Sequence, residues 1–161
     1  MFKNYLWIAF ISMVPLIELR GAIPVSQALG LPVIPSFAIS IIANMLPVPV
    51  IFFFARKFLE WGQGKKYIGG ICRFFLEKGA KGGQKLEEKA GRTGLFIALL
   101  LFVGIPLPGT GAWTGTLAAS MLNMKFKDAV IAVMLGVLLA GLIMMAGSFG
   151  IFSAVNQVAG A

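Results

Sequence analysis

Gly104-Ile105-Pro106-Leu107-Pro108-Gly109-Thr110-Gly111 is a run of helix breakers set between two apolar blocks, Gly94 to Val103 and Ala112 to Met124. Each block is too short to cross a bilayer, which takes about 20 apolar residues in a helix. Interrupted backbone at membrane depth is tolerated only where protein or a water-filled cavity surrounds it. The stretch therefore reads as a re-entrant helical hairpin, the alternative being one kinked spanning helix. The charges that follow favour the hairpin. If residues 95–124 dip in and return, Lys125 and Lys127 stay on the same side as the basic stretch before them. If they cross once, those lysines lie on the far side, against the positive-inside rule.

The same pattern opens the chain. Tyr5 to Ile17 is a short apolar block containing Pro15, followed by Glu18, Arg20 and a second short stretch, Gly21 to Leu29. Gly30-Leu31-Pro32-Val33-Ile34-Pro35 reads as a turn, and Ser36 to Ala55 as a spanning helix kinked by Pro47 and Pro49 between Asn44 and Pro49. In the second half, Ala129 to Val155 is long enough to span with tilt. Laying Pro15 on Pro106 brings Ala28 onto Ala119; two residues of slippage then bring Gly30 onto Asn123 and Ser36 onto Ala129. The likeness is one of pattern. It predicts an all-α integral membrane protein of two inverted repeats, each a re-entrant hairpin followed by a transmembrane helix. The whole chain, 1–161, is then one transmembrane domain, with repeats at 1–55 and 93–161 and a connector at 56–92.

Composition agrees. Of 161 residues, 58% are apolar and 12% charged, about half the charged share of soluble domains. A soluble enzyme, a disordered tail and a fibrous repeat are excluded. The formal charge of +8 is concentrated in the connector, where residues 56–92 hold ten basic and four acidic side chains. One basic loop between apolar blocks reads as cytoplasmic, against anionic headgroups. It lacks the folded base-reading face that nucleic-acid binding needs. Within it Ile68, Ile71, Cys72 and Phe75 recur at helical spacing, which predicts an amphipathic helix on the membrane surface. Cys72 is the only cysteine and there is no histidine, so the sequence offers no disulfide, no metal-ligand spacing and no commonplace general base. Neither an enzyme nor a cofactor is expected. Lys3, the first apolar block and Ser26-Gln27-Ala28 loosely fit a cleaved signal, but Glu18 and Arg20 between them argue against cleavage.

Two places carry chemistry. Glu18 and Arg20 are ionisable residues inside an apolar block, costly unless paired or wet. Arg20 suits a phosphate or carboxylate, and Glu18 suits a coupling proton; a purely structural pair is the alternative. Gly109-Thr110-Gly111 precedes a half-helix whose N-terminus would attract an anion near the membrane middle, with Thr110, Trp113 and Thr114 lining the spot. A glycine turn that only permits packing, with Trp113 as an interfacial anchor, is the plainer reading. Ser26, Gln27, Ser40 and Asn44 are expected to hydrogen-bond between helices, and Gly136, Ala140, Gly141, Ala146 and Gly147 to form a close packing face.

Glu18-Leu19-Arg20-Gly21-Ala22-Ile23-Pro24 and Ile105 to Gly115 together resemble the two motifs of the small multidrug export protein family, a relative of the DedA/VTT membrane proteins. The resemblance covers nearly the whole chain. Pro106 to Gly109 is similar to a DedA Pro-x-Pro-Gly motif, with Thr110 where a glutamate would follow. The resemblance implies two facing re-entrant hairpins and adds Gly21, Pro24, Pro106 and Pro108 to Glu18, Arg20, Gly109, Thr110, Gly111, Trp113 and Thr114 as substrate-binding candidates. It also implies proton-dependent movement of an anionic lipid carrier of the polyprenyl-phosphate type. The alternatives are a proton-coupled small multidrug exporter and a non-transporting scaffold. Expected partners are membrane lipids, an anionic headgroup or small-molecule substrate, and a second copy of the chain that shields the hairpins.

Overall fold

The computed structural model describes residues 2–159 other than Leu16, Lys66 and Pro108, with side chains except those of Phe75, Leu86, Phe149 and residues 151–159. The expectations placed on Pro108 and on the Phe75 side chain lie outside the described residues. Seven helices follow one another: α1 (Phe2–Met13), α2 (Glu18–Ala28), α3 (Val33–Met45), α4 (Pro47–Gly62), α5 (Gly69–Gly104), α6 (Ala112–Met121) and α7 (Phe126–Ala159). Among the described residues there is no strand. Helices satisfy their own backbone polar groups, as a chain with so few polar side chains requires in lipid.

Helices α3 and α4 make one rod, Val33–Gly62, interrupted at Leu46, which keeps helical angles (φ −58°, ψ −42°). Pro47 and Pro49 have no N–H to give the carbonyls four residues back, so the break falls inside the expected kink region. The rod runs beyond Ala55, and Arg56 and Lys57 ride on its last turns. Val33–Gly62 and Phe126–Ser148 are each long and apolar enough to cross a membrane. The amphipathic helix forms the first part of α5, which breaks at Gly91 (φ 67°, ψ −177°), a conformation that glycine adopts without a Cβ penalty. Beyond Gly91, α5 becomes apolar and ends at Gly104.

The element order therefore recurs: α1, break, α2, turn, α3 in the first half; the apolar end of α5, break, α6, turn, α7 in the second. Gly30 and Asn123, the pair that the sequence pattern aligns, both have positive φ (64° and 59°) and close the short helices α2 and α6. Val33 and Phe126 start the following long helices in the same alignment.

Helix α7 is the central post. Its Ala129, Ala132, Val133, Val137 and Ala140 pack with Leu19 and Ile23 of α2, Leu99 and Val103 of α5, and Ala112 and Ala119 of α6. Large apolar side chains such as Trp7, Phe10, Phe53, Phe54, Phe102 and Leu142 face outward, as lipid as solvent allows. The packing face on α7 is shorter than its glycines suggest. A Cβ at Gly136 would stand 2.7 Å from Val103 Cβ and 2.8 Å from the Leu100 carbonyl, and one at Gly141 2.6 Å from the Phe37 ring. Gly147 has nothing within 4 Å, and Ala146 is exposed. We expect Gly136→Val to cost about 2 kcal/mol by overpacking backbone that cannot yield. Gly147→Val should be near neutral. Thermal unfolding of both variants in detergent checks the contrast.

Among the described residues the side chains of Ser26, Gln27, Ser40 and Asn44 make no hydrogen bond to another helix, and Ser40 links helices only through its carbonyl. Ser12 of α1 donates to the Ser40 carbonyl of α3 at 2.6 Å. Ser26 bonds its own helix at Ile23, and Gln27 bonds Ser26. The Ser40 hydroxyl and Asn44 Oδ1 are buried without a hydrogen-bond partner among the described residues.

Candidate functional site

The two breaks meet. Glu18, the first residue of α2, is 5% exposed, and its carboxylate accepts from the backbone N–H of Ala112 (3.1 Å to Oε2) and of Trp113 (3.1 Å to Oε1). These are the first two residues of α6, whose N–H groups have no partner within the helix. A carboxylate there also offsets the positive end of the helix dipole. Gly111 makes the approach possible, because a Cβ on it would overlap the Glu18 carboxyl group. Glu18 itself has φ 52°, unusual for a side chain other than glycine, asparagine or aspartate. Such a conformation costs about 1 kcal/mol or more, and the two bonds to α6 oppose that cost.

Arg20, half-buried, reaches the other side of the same break. Its guanidinium donates to the carbonyls of Leu107, Val103 (3.3 Å) and Ile105 (3.3 Å) and to Thr110 Oγ1 (2.9 Å). Val103 and Ile105 belong to the C-terminal end of α5, where the last carbonyls lack helical partners. A cation there complements the negative end of the dipole. Thr110 Oγ1 lies 2.9 Å from both the Ile105 and Leu107 carbonyls, so it extends the same cluster. Trp113 completes the junction by donating Nε1–H to the carbonyl of Met13, the last residue of α1, at 3.1 Å.

Glu18 and Arg20 thus do not form a direct pair. Among the described residues the ion pairs are Arg56–Glu60 (2.9 Å) and Arg92–Glu87 (3.3 Å), both at the surface. Two residues apart on α2, the two side chains take opposite ends of the second break instead. Helix α6 begins at Ala112, and the anion on its N-terminus is the carboxylate of Glu18.

The other candidates divide. Gly109 (φ 82°) has open space where a Cβ would be, and it turns the chain between Leu107 and Thr110. Pro106 is half-buried in the break. Pro24 lies one turn beyond Arg20 inside α2 and cannot donate to the Arg20 carbonyl. Thr114 lies 3.5 Å from the Gly111 carbonyl within its own helix turn. Gly21 faces Ile17 and Ile11, away from the cluster.

A second contact zone was not read from the sequence. A Cβ at Gly79 would stand 2.9 Å from the Met121 carbonyl, and one at Gly83 would overlap the Leu122 carbonyl, so the amphipathic part of α5 lies on the C-terminal end of α6. The spacing Gly79-x-x-x-Gly83 is the small-residue signal that could have found it. Arg56 of α4 also reaches this end of α6 by donating to Asn123 Oδ1. Helix α6 is therefore held at its N-terminus by α2 and at its C-terminus by α4 and α5.

Fold and site define an α-helical membrane protein in which two interrupted helical units are tied together through one glutamate and one arginine. The chain belongs to the family described as "Putative small multi-drug export protein", whose pattern matches residues 18–143. The match begins at Glu18 and takes in α2, the second break and α6, so it holds both Glu18 and Arg20 and the residues they bond. No curated protein and no solved structure matches the chain.

Proposed function

We propose that the chain carries an anionic lipid phosphate, of the polyprenyl-phosphate type, across the cytoplasmic membrane, coupled to a proton on Glu18. The observation behind this reading is the bidentate hold of the Glu18 carboxylate on the Ala112 and Trp113 N–H groups. A helix N-terminus accepts any anion. When Glu18 takes a proton its charge disappears, and the two N–H groups can turn to a phosphate. When the phosphate leaves, Glu18 gives up the proton and returns. Proton and phosphate then move in the same direction, because the empty site is closed by the deprotonated carboxylate. Arg20 supports the same reading. Its contacts are carbonyls and a hydroxyl, so dipoles rather than a carboxylate surround its charge. A phosphate would trade those dipoles for a bidentate ion pair.

In this reading the α1–α2 and α5–α6 units are re-entrant hairpins that enter from opposite faces as an inverted repeat, and residues 56–92 are cytoplasmic. Gly21, Pro24, Pro106 and Gly109 keep the backbone at the two breaks able to move, and Thr110, Trp113 and Thr114 line the opening. The chemistry is binding and release, without bond making. The family description favours a second reading, proton-coupled export of a small cationic drug at Glu18.

Proteoliposomes loaded with a short-chain prenyl phosphate separate the two. We expect an imposed pH gradient to drive flux in the native chain, and Glu18→Gln to reduce that acceleration by about tenfold or more. Unchanged gradient dependence in Glu18→Gln would overturn the proton assignment. Gradient-driven efflux of an ethidium-like cation, with no prenyl-phosphate flux, would establish the second reading instead.

A further inference from the structure

Away from the Glu18–Arg20 junction, the outer faces of α4 and α6 and the start of α5 enclose an open groove of about 630 Å³. Phe54, Phe58, Ile71, Cys72, Leu117 and Met121 line it, and almost no polar surface faces it. We propose that this groove holds one acyl chain of an anionic phospholipid, with the headgroup on the basic residues at its end.

The walls argue for a hydrocarbon. A peptide laid here would bring backbone N–H and C=O groups, and nothing in the lining could pair with them. An acyl chain has no such groups. The rim argues for the headgroup's charge. Lys57 and Arg73 adjoin the lining residues Phe58 and Cys72 in the chain and are exposed. Lys65 stands 4.5 Å over the Trp61 ring, and Trp61 lies beside Phe58 with ring centroids 6.1 Å apart. Aromatic rings and basic side chains at one level are what a headgroup region attracts, and a basic segment there favours anionic over zwitterionic lipid. The floor of the groove is α6, through Leu117 and Met121. A bound tail would therefore lie along the helix whose first N–H groups Glu18 holds. The proposal does not depend on what Glu18 and Arg20 carry.

The test is native mass spectrometry of the full chain in mild detergent, titrated with phosphatidylglycerol or phosphatidylcholine. We expect one saturable phosphatidylglycerol per chain, and at least about tenfold weaker retention of phosphatidylcholine. Ile71→Trp, at a position 60% exposed, fills the groove without touching the core and should remove the bound lipid. Lys57→Gln with Arg73→Gln should erase the preference for phosphatidylglycerol. A short-chain prenyl phosphate, added in excess, should not displace the phosphatidylglycerol, which separates this groove from the proposed transport site. Equal, non-saturating adducts of both lipids, or retention of the phosphatidylglycerol in Ile71→Trp, would overturn the proposal. Should Ile71→Trp fail to fold, alkylation of a cysteine at the same exposed wall position decides. In Ile71→Cys, beside the buried Cys72, phosphatidylglycerol should slow reaction with a small maleimide about tenfold. No slowing at saturating lipid would equally overturn the assignment.

Discussion

Glu18→Ala is expected to lower stability in detergent by about 3 kcal/mol. The change deletes two charge-assisted hydrogen bonds, each worth about 1.5–3 kcal/mol where the donors stay unpaired, and leaves the N-terminus of α6 without its anion. The upper part of that range does not apply, since bonds between helices in membrane proteins average nearer 0.6 kcal/mol. The backbone supplies a sharper check. Residue 18 has φ 52°, so alanine keeps the strain and loses the bonds that oppose it. Glycine loses the same bonds but relieves the strain. Glu18→Gly should therefore be more stable than Glu18→Ala by about 1 kcal/mol, the reverse of the usual order for a helix, where glycine costs about that much. Thermal unfolding of the two variants side by side measures the difference. If alanine proves the more stable, the positive φ at residue 18 is held by the carboxylate alone and relaxes when it is lost. Gly111→Ala approaches the same interaction from the other partner. Its methyl group would overlap the carboxyl group, so it should resemble Glu18→Ala in effect and add little to it in the double variant.

The residues of this junction were legible in the sequence; their partners were not. Glu18 and Arg20 stand out because charge is rare in an apolar block, and the two breaks stand out because proline and glycine interrupt segments too short to span. Both signals are local. The contact from Glu18 to Ala112 joins residues 94 apart through a side chain and two backbone N–H groups. Every residue type but proline carries such an N–H group, so no spacing or periodicity announces them. The same holds for Arg20, whose partners are three carbonyls and one hydroxyl. Sequence reasoning places an anion at the N-terminus of α6 for sound electrostatic reasons and looks outside the chain for it; in the fold, the chain provides one. The helices show a similar division. The long rods at Val33–Gly62 and Phe126–Ser148 follow from hydropathy. The stop at Ala55 does not hold, because arginine and lysine are good helix formers and the rod continues to Gly62. Gly91 divides α5 by backbone freedom alone, and among several glycines in that segment the sequence does not single it out.

Arg20→Lys tests whether the junction needs a charge or a fork. Arginine presents a planar set of donors, and here its two terminal nitrogens serve three carbonyls and Thr110 Oγ1 at once. Lysine keeps the charge at the end of α5 but has one nitrogen, and it cannot meet acceptors spread from Val103 to Thr110 from a single point. At least one carbonyl of the break then lacks its partner, at about 1–2 kcal/mol. Arg20→Met removes the charge as well and leaves all the acceptors to solvent or to lipid. The stability order should be arginine, lysine, methionine, with methionine about 3 kcal/mol below the native chain. Flux should fall differently. If a phosphate is to replace the carbonyls on Arg20, the fork is needed for the ion pair, so lysine should transport at about a tenth of the native rate and methionine not at all. A lysine variant less stable than the native chain yet equal to it in flux would mean that Arg20 only closes the end of α5 and that the moving anion is held elsewhere. Methionine with full flux would remove Arg20 from transport altogether. The reading of the junction as a place where a chain carboxylate and a substrate phosphate alternate would then rest on Glu18 and the α6 N-terminus alone.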